Sequence, residues 1–268
     1  MYIIRHVPSR GTLRRVLKQA VFGKRVMCPK CQSRSIQKIV SEERWRCRRC
    51  RKPFSIKSAS WLKGAKLPLE TIWLLLWCYQ KELPLKQTAA LCEVSYPTIF
   101  LWYEKFRNHI PAWRIEHVLK NKVVCDELFT RDNCIMGAKE KGTRNIAMQV
   151  LHKSHPDRHD AVLFLARYVR PESELATDGS SIYHGIEKWY PVTHTYERHA
   201  KWEFSKTAEG EGLWGVFRTF VRRMYHHVTN LKLAALVTEF CLRFGHDEVF
   251  NSPEDYWNIC LSMKPFAL

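Results

Sequence analysis

Apolar residues recur at helical spacing near the start of the chain and again between residues 68 and 80. In the first segment the repeat falls on Leu13, Leu17 and Ala20, which predicts a helix inside a basic region, 1–22. The second segment contains the most apolar run of the chain, TIWLLLWCYQ, which is much shorter than the ~20 residues that a membrane span needs. It is therefore predicted to be a buried helix, and we expect no membrane contact.

Residues 83–110 carry two helical repeats separated by a short turn. The apolar positions of these repeats are Ala89, Ala90 and Leu91, followed by Ile99, Trp102, Tyr103 and Phe106. Val94 fits the turn, Ser95 can cap the second helix, and Pro97 is tolerated in its first turn. The pattern predicts a helix-turn-helix within a DNA-binding region, 66–119, whose second helix would enter the major groove. A plain helical hairpin would give the same pattern.

Beyond residue 120 short strands alternate with helices. Strands are predicted at 122–129 and 145–153, a helix at 159–169, and a short strand that ends at Asp178. This strand–strand–helix–strand order predicts an α/β catalytic domain over residues 120–245, followed by a C-terminal tail, 246–268. Because side chains alternate along a strand, the neighbouring Asp126 and Glu127 are predicted to point to opposite faces of the sheet.

Charge is distributed unevenly along this chain of 268 residues, whose formal net charge is +18. Residues 1–66 contain 19 Lys and Arg against two Glu, whereas the net charge of the remaining residues is close to zero. A basic block of this kind usually contacts a polyanion, because each neutralised phosphate releases counterions. A merely soluble surface or an anionic membrane contact is the alternative. We see no secretory signal and expect a cytoplasmic, nucleoid-associated protein.

Four of the ten cysteines form a regular array with two residues inside each pair and fifteen between the pairs. These are Cys28, Cys31, Cys47 and Cys50. The spacing lets all four thiolates meet one ion, which predicts a zinc ribbon over residues 23–57 with structural Zn²⁺. An iron–sulfur cluster is the alternative. The other six cysteines are scattered through apolar segments, as expected for free thiols in a reducing compartment.

The second half of the predicted ribbon is rich in basic residues. They are Arg44, Arg46, Arg48, Arg49, Arg51 and Lys52. This cluster favours a contact with double-stranded DNA, although the sequence also allows a protein partner. Trp45 and Phe54 are the expected packing residues of the ribbon.

Three carboxylates of the second half of the chain are candidates for a catalytic metal site. Asp126 and Asp178 lie on predicted strands, and Glu211 opens a helical repeat that continues through Trp214 and Phe217. Three such groups can hold two divalent ions for in-line phosphoryl transfer, and their hard oxygens select Mg²⁺ or Mn²⁺. Glu209 is the alternative third ligand. Helix caps or ion-pair partners would also account for acidic residues at these positions.

The order of these motifs resembles the zinc-ribbon DDE transposases of bacterial insertion sequences, in particular the ISXO-like group. The resemblance covers residues 25–245 and includes CDE, TDGSSIY and EGLWGVFRTFVRRMYHHV. It implies an α+β multidomain fold with an N-terminal zinc ribbon, a helix-turn-helix and an RNase H-like α/β catalytic domain. It also implies metal-ligand roles for Asp126, Asp178 and Glu211, with Tyr183 and His194 close to the site.

The same resemblance implies an enzyme that binds the terminal inverted repeats of its element, cuts DNA and joins the ends to a target. Arg218 and Arg222 would hold DNA phosphates, and the protein would act as a homo-oligomer on DNA. Three motifs depart from the family. Lys206-Thr207-Ala208 stands where many relatives have His-Thr-Asn, Arg218 replaces a frequent lysine, and the C-terminal RFGHDEVFN lacks the Arg-x-Asn-x-Arg-like ending that the family leads us to expect. The alternative is a catalytically inactive, transposase-derived DNA-binding protein or regulator.

Overall fold

The computed structural model describes residues 7–40, 43–111, 118–196, 208–225, 228–245 and 247–261, with the backbone alone at 208–211. The chain divides into two compact units. Unit 1 consists of Met1–Pro111 and Glu248–Leu268, and unit 2 is Ala112–Asp247. Within these units, the finer boundaries given above at residues 22, 57, 119 and 245 remain predictions.

Helices and strands alternate in blocks along the chain. Unit 1 begins with α1 (Arg10–Phe22), β1 (Ile36–Ile39), β2 (Arg44–Cys47), β3 (Pro53–Phe54), α2 (Leu69–Gln80), α3 (Leu85–Cys92) and α4 (Tyr96–Asn108). Unit 2 contains β4 (Lys122–Phe129), β5 (Cys134–Glu140), β6 (Ile146–Leu151), α5 (Arg158–Tyr168), β7 (Glu174–Thr177), β8 (Thr193–Tyr196), α6 (Ala208–Tyr225) and α7 (Asn230–Gly245). The chain then returns to unit 1 with α8 (Pro253–Cys260).

The ribbon of unit 1 is a three-stranded antiparallel sheet in the order β1-β2-β3. Its strands are too short to bury a core of their own, and aromatic rings supply the packing. Trp45 stacks on Phe54 with ring centroids 5.9 Å apart, and Phe22 of α1 meets both rings edge-on. The predicted packing residues are therefore the ones that join the ribbon to α1.

Helices α3 and α4 form the predicted helix-turn-helix. Helix α3 ends where Glu93 adopts a left-handed conformation with φ 54°, and the Val94 N–H donates to the Ala89 carbonyl across the turn. Ser95 precedes α4, but its hydroxyl bonds the Thr98 hydroxyl at 2.9 Å instead of a backbone N–H. The predicted capping bond to the backbone does not form in this fully described segment, and the bond between the two hydroxyls takes its place.

The segment predicted as a C-terminal tail contains α8, which packs against α1 and α2 in unit 1. The Ser252 hydroxyl accepts from the Asp255 N–H and caps the helix, with Pro253 in the first turn. Trp257 is fully buried and meets Trp73 edge-on at 4.9 Å. The buried amide of Gln80 donates to two carbonyl groups just before α8, at 2.8 Å each. Aromatic packing and these hydrogen bonds hold the segment in place.

Unit 2 is built on a five-stranded sheet in the order β6-β5-β4-β7-β8. Strands β4, β5 and β6 are antiparallel neighbours, whereas β7 and β8 run parallel to β4. This is the RNase H-like arrangement. The strand order predicted from the sequence was wrong in lacking β5 and β8, because Gly137 interrupts the apolar pattern of β5 and β8 is a polar edge strand.

The two faces of this sheet pack against different helices. One face contributes Val123, Cys125 and Met136 to a core that includes Phe164 and Leu165 of α5. The other face is covered by α6 and α7, whose buried apolar residues include Leu213, Trp214, Phe217, Phe220, Met224, Leu233, Leu236, Val237 and Phe240. Both faces of β4 are thus covered by helices. Its two carboxylates, Asp126 and Glu127, lie in the second half of this strand.

Candidate functional site

The four cysteines of the ribbon come together at one point. The Sγ atoms of Cys28 and Cys50 lie 3.6 Å apart, as do those of Cys31 and Cys47, and all four lie within 4.8 Å of one another. Four sulfurs bonded to zinc at about 2.3 Å in a tetrahedron would be about 3.8 Å apart. The Cys50 N–H, 3.5 Å from the Cys47 sulfur, lowers the pKa of that thiol to about 6, which favours the thiolate. The cluster therefore fits a structural Zn²⁺ ion.

The basic residues of the ribbon all face solvent. Arg44 and Arg46 alternate with Trp45 and Cys47 along β2, so their side chains share the face away from the metal cluster. The remaining four follow the strand, and each is exposed: Arg48, Arg49, Arg51 and Lys52. This side of the ribbon presents positive charge.

The pairing of β4 with β7 brings the two aspartates together. Val124 pairs with Ala176 in this parallel register, so Asp126 and Asp178, two positions further along each strand, come next to each other. One oxygen each from Asp126, Glu127 and Asp178 lie within 4.8 Å of one another. The sheet thus joins carboxylates that are 52 residues apart in sequence.

Both oxygens of Asp126 accept hydrogen bonds from the protein. Its Oδ1 accepts from the backbone N–H of Glu127 at 2.8 Å, and its Oδ2 from the indole N–H of Trp214 at 2.9 Å. Asp178 is held more loosely, by one bond from the Ser180 N–H to its Oδ1 at 3.0 Å. Asp126 is therefore the more firmly oriented of the two aspartates.

Glu127 also reaches this cluster, which the sequence analysis did not foresee. Asp126 contacts Trp214 on the α6 side, whereas Glu127 accepts a short hydrogen bond from the buried Tyr183 hydroxyl on the opposite side. The alternation along β4 therefore separates their partners, but the longer Glu127 side chain still brings one oxygen to the aspartates. Burial raises the pKa of Glu127 to about 7; the Tyr183 bond opposes this rise, and the charges of Asp178 and Asp126 add to it.

His194 of β8 is joined to the residue that precedes Asp178. Its Nε2 lies 3.0 Å from the Thr177 hydroxyl, and its ring lies 6.3 Å from the Tyr183 ring. Its side chain is only 5% exposed, and this burial is the main reason that the pKa of the imidazole is lowered. Tyr183 and His194 thus lie behind the carboxylates, in the positions that the family resemblance implied.

Helix α6 carries the remaining predicted residues. Glu211 and Glu209 lie in its first turn, and their side chains are outside the described residues. Arg218 and Arg222 are exposed and line a cavity of about 400 Å³ together with Phe129 from the end of β4. The side chain of Trp214 lies between these arginines and the helix start, and its contact with Asp126 is the feature that the sequence analysis missed.

Family comparisons agree with this geometry. Residues 10–53 match the transposase zinc-ribbon domain, and residues 112–245, half of the chain, match the ISXO2-like transposase domain. The chain belongs to the ISXO2-like transposases. It is accordingly an enzyme of the DDE class that acts on DNA, with the predicted zinc ribbon. Two of the three predicted carboxylates, Asp126 and Asp178, lie in the acidic cluster, together with Glu127.

Among solved structures, this transposase is similar to a chain of the intasome of simian T-cell lymphotropic virus in complex with PP2A regulatory subunit B56 gamma. The identity is 10%, the alignment covers 65% of the transposase and 68% of that chain, and the TM-score is 0.39. It is also similar to the catalytic core domain of BIV integrase, with 13% identity, 46% and 82% coverage, and a TM-score of 0.34. No curated protein sequence matches the chain.

The acidic cluster of the transposase suits a divalent cation. Oxygen ligands at about 2.1 Å from an octahedral ion lie about 3–4 Å apart, and the three oxygens found here lie within 4.8 Å of one another. All three groups are carboxylates, the donors that hard cations prefer. None of the helices in the described part of the chain has the length and hydropathy that a bilayer crossing demands.

Proposed function

We propose that this transposase cuts DNA at the ends of its own element and joins those ends to target DNA, with Mg²⁺ or Mn²⁺ held by Asp126, Asp178 and Glu211. In the first step water attacks a phosphodiester, the P–O3′ bond breaks, and a 3′-hydroxyl is released. In the second step that hydroxyl attacks a target phosphodiester, and a new P–O bond replaces the broken one. Two divalent ions, when bound, activate the nucleophile and stabilise the leaving oxygen.

The observation that carries this proposal is the meeting of Asp126, inside β4, with Asp178, which directly follows β7. Carboxylates held this close repel one another in the absence of cations, and a bound cation would relieve that repulsion. Glu127, with the Tyr183 bond on one oxygen, adds a third carboxyl group to the same cluster, and the charges of the two aspartates help to raise its pKa. The concentration of negative charge in so small a volume therefore favours a cation-binding role.

Glu211 is the proposed third ligand because of its place on α6. Position 211 lies three residues before Trp214, on the same side of the helix, and Trp214 touches Asp126. Position 209 lies five residues before Trp214, about 140° away around the helix axis. The helix start therefore favours Glu211 over Glu209.

The DNA contacts belong to both units. In unit 1 we assign them to the exposed basic side of the ribbon and to the first turn of α4, where Tyr96 is 46% exposed. In unit 2 we assign them to Arg218 and Arg222, one helical turn apart on the solvent side of α6. Base-edge contacts from α4 would select the terminal repeats, whereas the arginines would hold phosphates of any sequence.

Joining both ends of an element requires that the two ends be held together. We therefore propose that the transposase works as a dimer or larger homo-oligomer assembled on DNA. Its substrate would place it in the cytoplasm, on the nucleoid.

The test is cleavage and joining of a labelled duplex that carries the terminal repeats flanking the gene. Wild-type protein should nick and join this duplex in Mg²⁺ or Mn²⁺, and Asp178→Asn should abolish both reactions while leaving DNA affinity unchanged. The matched control is Asp132→Asn, an exposed aspartate on the β4–β5 turn outside the cluster, which should remain active. Binding without cleavage by the wild type would support the inactive DNA-binding protein instead.

A further inference from the structure

Trp214 lies against the candidate metal site, where no role was predicted for it. It is 4% exposed, and its indole N–H donates to Asp126 Oδ2 at 2.9 Å. The Glu127 N–H occupies the other oxygen of the same carboxylate at 2.8 Å. Both oxygens of the carboxylate thus accept a hydrogen bond, which fixes the plane of the group beside Asp178.

The space for this indole is provided by Gly137. Gly137 pairs with Asp126 across β4 and β5, and a Cβ added there would lie 2.6 Å and 2.7 Å from two carbon atoms of the Trp214 ring. Contacts this short do not occur, so any side chain at 137 would push the indole away. Phe217, one turn later on α6, meets Trp214 edge-on at 6.4 Å and supports it from the other end.

We propose that Trp214, seated on Gly137, is a positioning residue that orients the Asp126 carboxylate for the divalent cation. This inference rests on the proposed role of Asp126 as a metal ligand. Groups that hydrogen-bond a ligand typically contribute 10–100-fold to metal affinity or activity, because they fix its orientation. The glycine explains why the indole can approach β5 this closely, next to the carboxylate that it binds.

Trp214→Phe removes the N–H and keeps an aromatic ring in the core. We expect the Mn²⁺ dissociation constant, measured by calorimetric titration without DNA, and the Mn²⁺ concentration for half-maximal end cleavage both to rise about 10–100-fold, with DNA affinity unchanged. Phe220→Leu is the matched control: it disturbs the buried face of the same helix, where Phe220 packs on Phe240, but leaves Trp214 and its Asp126 bond, so the Mn²⁺ requirement should stay at the wild-type value.

Gly137→Ala gives an independent test, because it displaces the indole without altering any hydrogen-bonding group. Alone it should raise the Mn²⁺ requirement as Trp214→Phe does. The Cβ that Gly137→Ala introduces would meet ring atoms of Trp214 that phenylalanine lacks. Adding Gly137→Ala to Trp214→Phe should therefore raise the Mn²⁺ requirement only slightly further. If Gly137→Ala raised the Mn²⁺ requirement equally with and without Trp214→Phe, the effect of the glycine would act through β5 itself and not through Trp214.

An isosteric replacement covers the case in which Trp214→Phe does not fold. Benzothienylalanine incorporated at position 214 has the shape of tryptophan with sulfur in place of the N–H, and it should reproduce the Mn²⁺ defect. An unchanged Mn²⁺ requirement in this protein overturns the inference. If Asp126→Asn and Asp178→Asn abolish cleavage in the same assay, the proposed function survives that outcome, whereas active aspartate variants would refute the proposed function itself.

Discussion

At the scale of single residues, burial controls how the histidine behind the carboxylates titrates. His194 faces Thr177, Glu187, His184 and Tyr183; burial and the nearby His184 lower the pKa of its imidazole, and Glu187 opposes them. The folded protein therefore disfavours the imidazolium, while the unfolded chain binds a proton near the ordinary pKa of 6.5. Stability contributed by the neutral ring is thus present above that value and is lost as the pH falls below it.

This sign gives a measurable expectation for the unfolding free energy. Between pH 7 and pH 5, wild type should lose stability relative to His194→Gln, because only wild type carries the buried imidazole; the contribution of Glu127 is common to both proteins and cancels in the comparison. Ser181→Ala is the control, because it changes an exposed position near His184 without altering a titratable group, and it should keep the wild-type slope. Chemical unfolding at several pH values measures these slopes, and identical slopes in wild type and His194→Gln would contradict the expectation.

At the scale of elements, the ribbon depends on its metal. Its three strands bury few side chains, so zinc supplies much of its folding free energy. Cys50→Ser should therefore reduce bound zinc from one ion per chain to well below one and weaken DNA binding. Cys260→Ser, outside the cluster, should keep one zinc. Metal analysis decides this, and iron with visible absorption in the wild type would contradict the zinc assignment.

Helix α8 should contribute strongly to the stability of unit 1. Trp257→Ala removes a fully buried ring that packs on Trp73, so the unfolding free energy should fall by about 3–5 kcal/mol. Asn258→Ala changes an exposed position of the same helix and should alter stability far less. A small effect of Trp257→Ala in urea unfolding of the full chain would show that α8 is dispensable.

The elements that sequence reasoning predicted well are those defined by local patterns. Cysteine spacing identified the ribbon, and the helical repeat around Ile99 and Trp102 identified α4. Helix α8 was missed because its apolar run is short, although Ser252-Pro253 with Asp255 is a local helix-start signal.

The contacts of the site depend on partners far apart in sequence, which local patterns do not report. Trp214 and Asp126 are 88 residues apart, and only the register of β4 and β7 brings Asp126 to Asp178. Gly137 inside a strand was the single available hint of a close approach. Glu127 was correctly assigned to the face opposite Asp126. The strand pattern did not show that its longer side chain brings one oxygen to the aspartates.

At the scale of the whole molecule, charge is concentrated in residues 1–66, and DNA affinity should depend steeply on salt. Replacing Arg48, Arg49 and Arg51 by Gln should lower the slope of log affinity against log salt by about 0.9 for each phosphate that the variant no longer neutralises. The control replaces Arg158, Arg167 and Arg170, which are exposed in unit 2, and should leave the slope unchanged. Equal slopes for wild type and the ribbon variant would assign the DNA contact to other residues.

Unit 1 is assembled from chain segments on either side of unit 2, and this has a consequence for synthesis. The ribosome completes residues 112–247 before it makes α8, whose Tyr256 hydroxyl bonds the Phe106 carbonyl. The five-stranded sheet can therefore form while the zinc-bearing half still lacks its final helix. In a nascent chain, Asp126 and Asp178 can therefore come together before α8 completes unit 1.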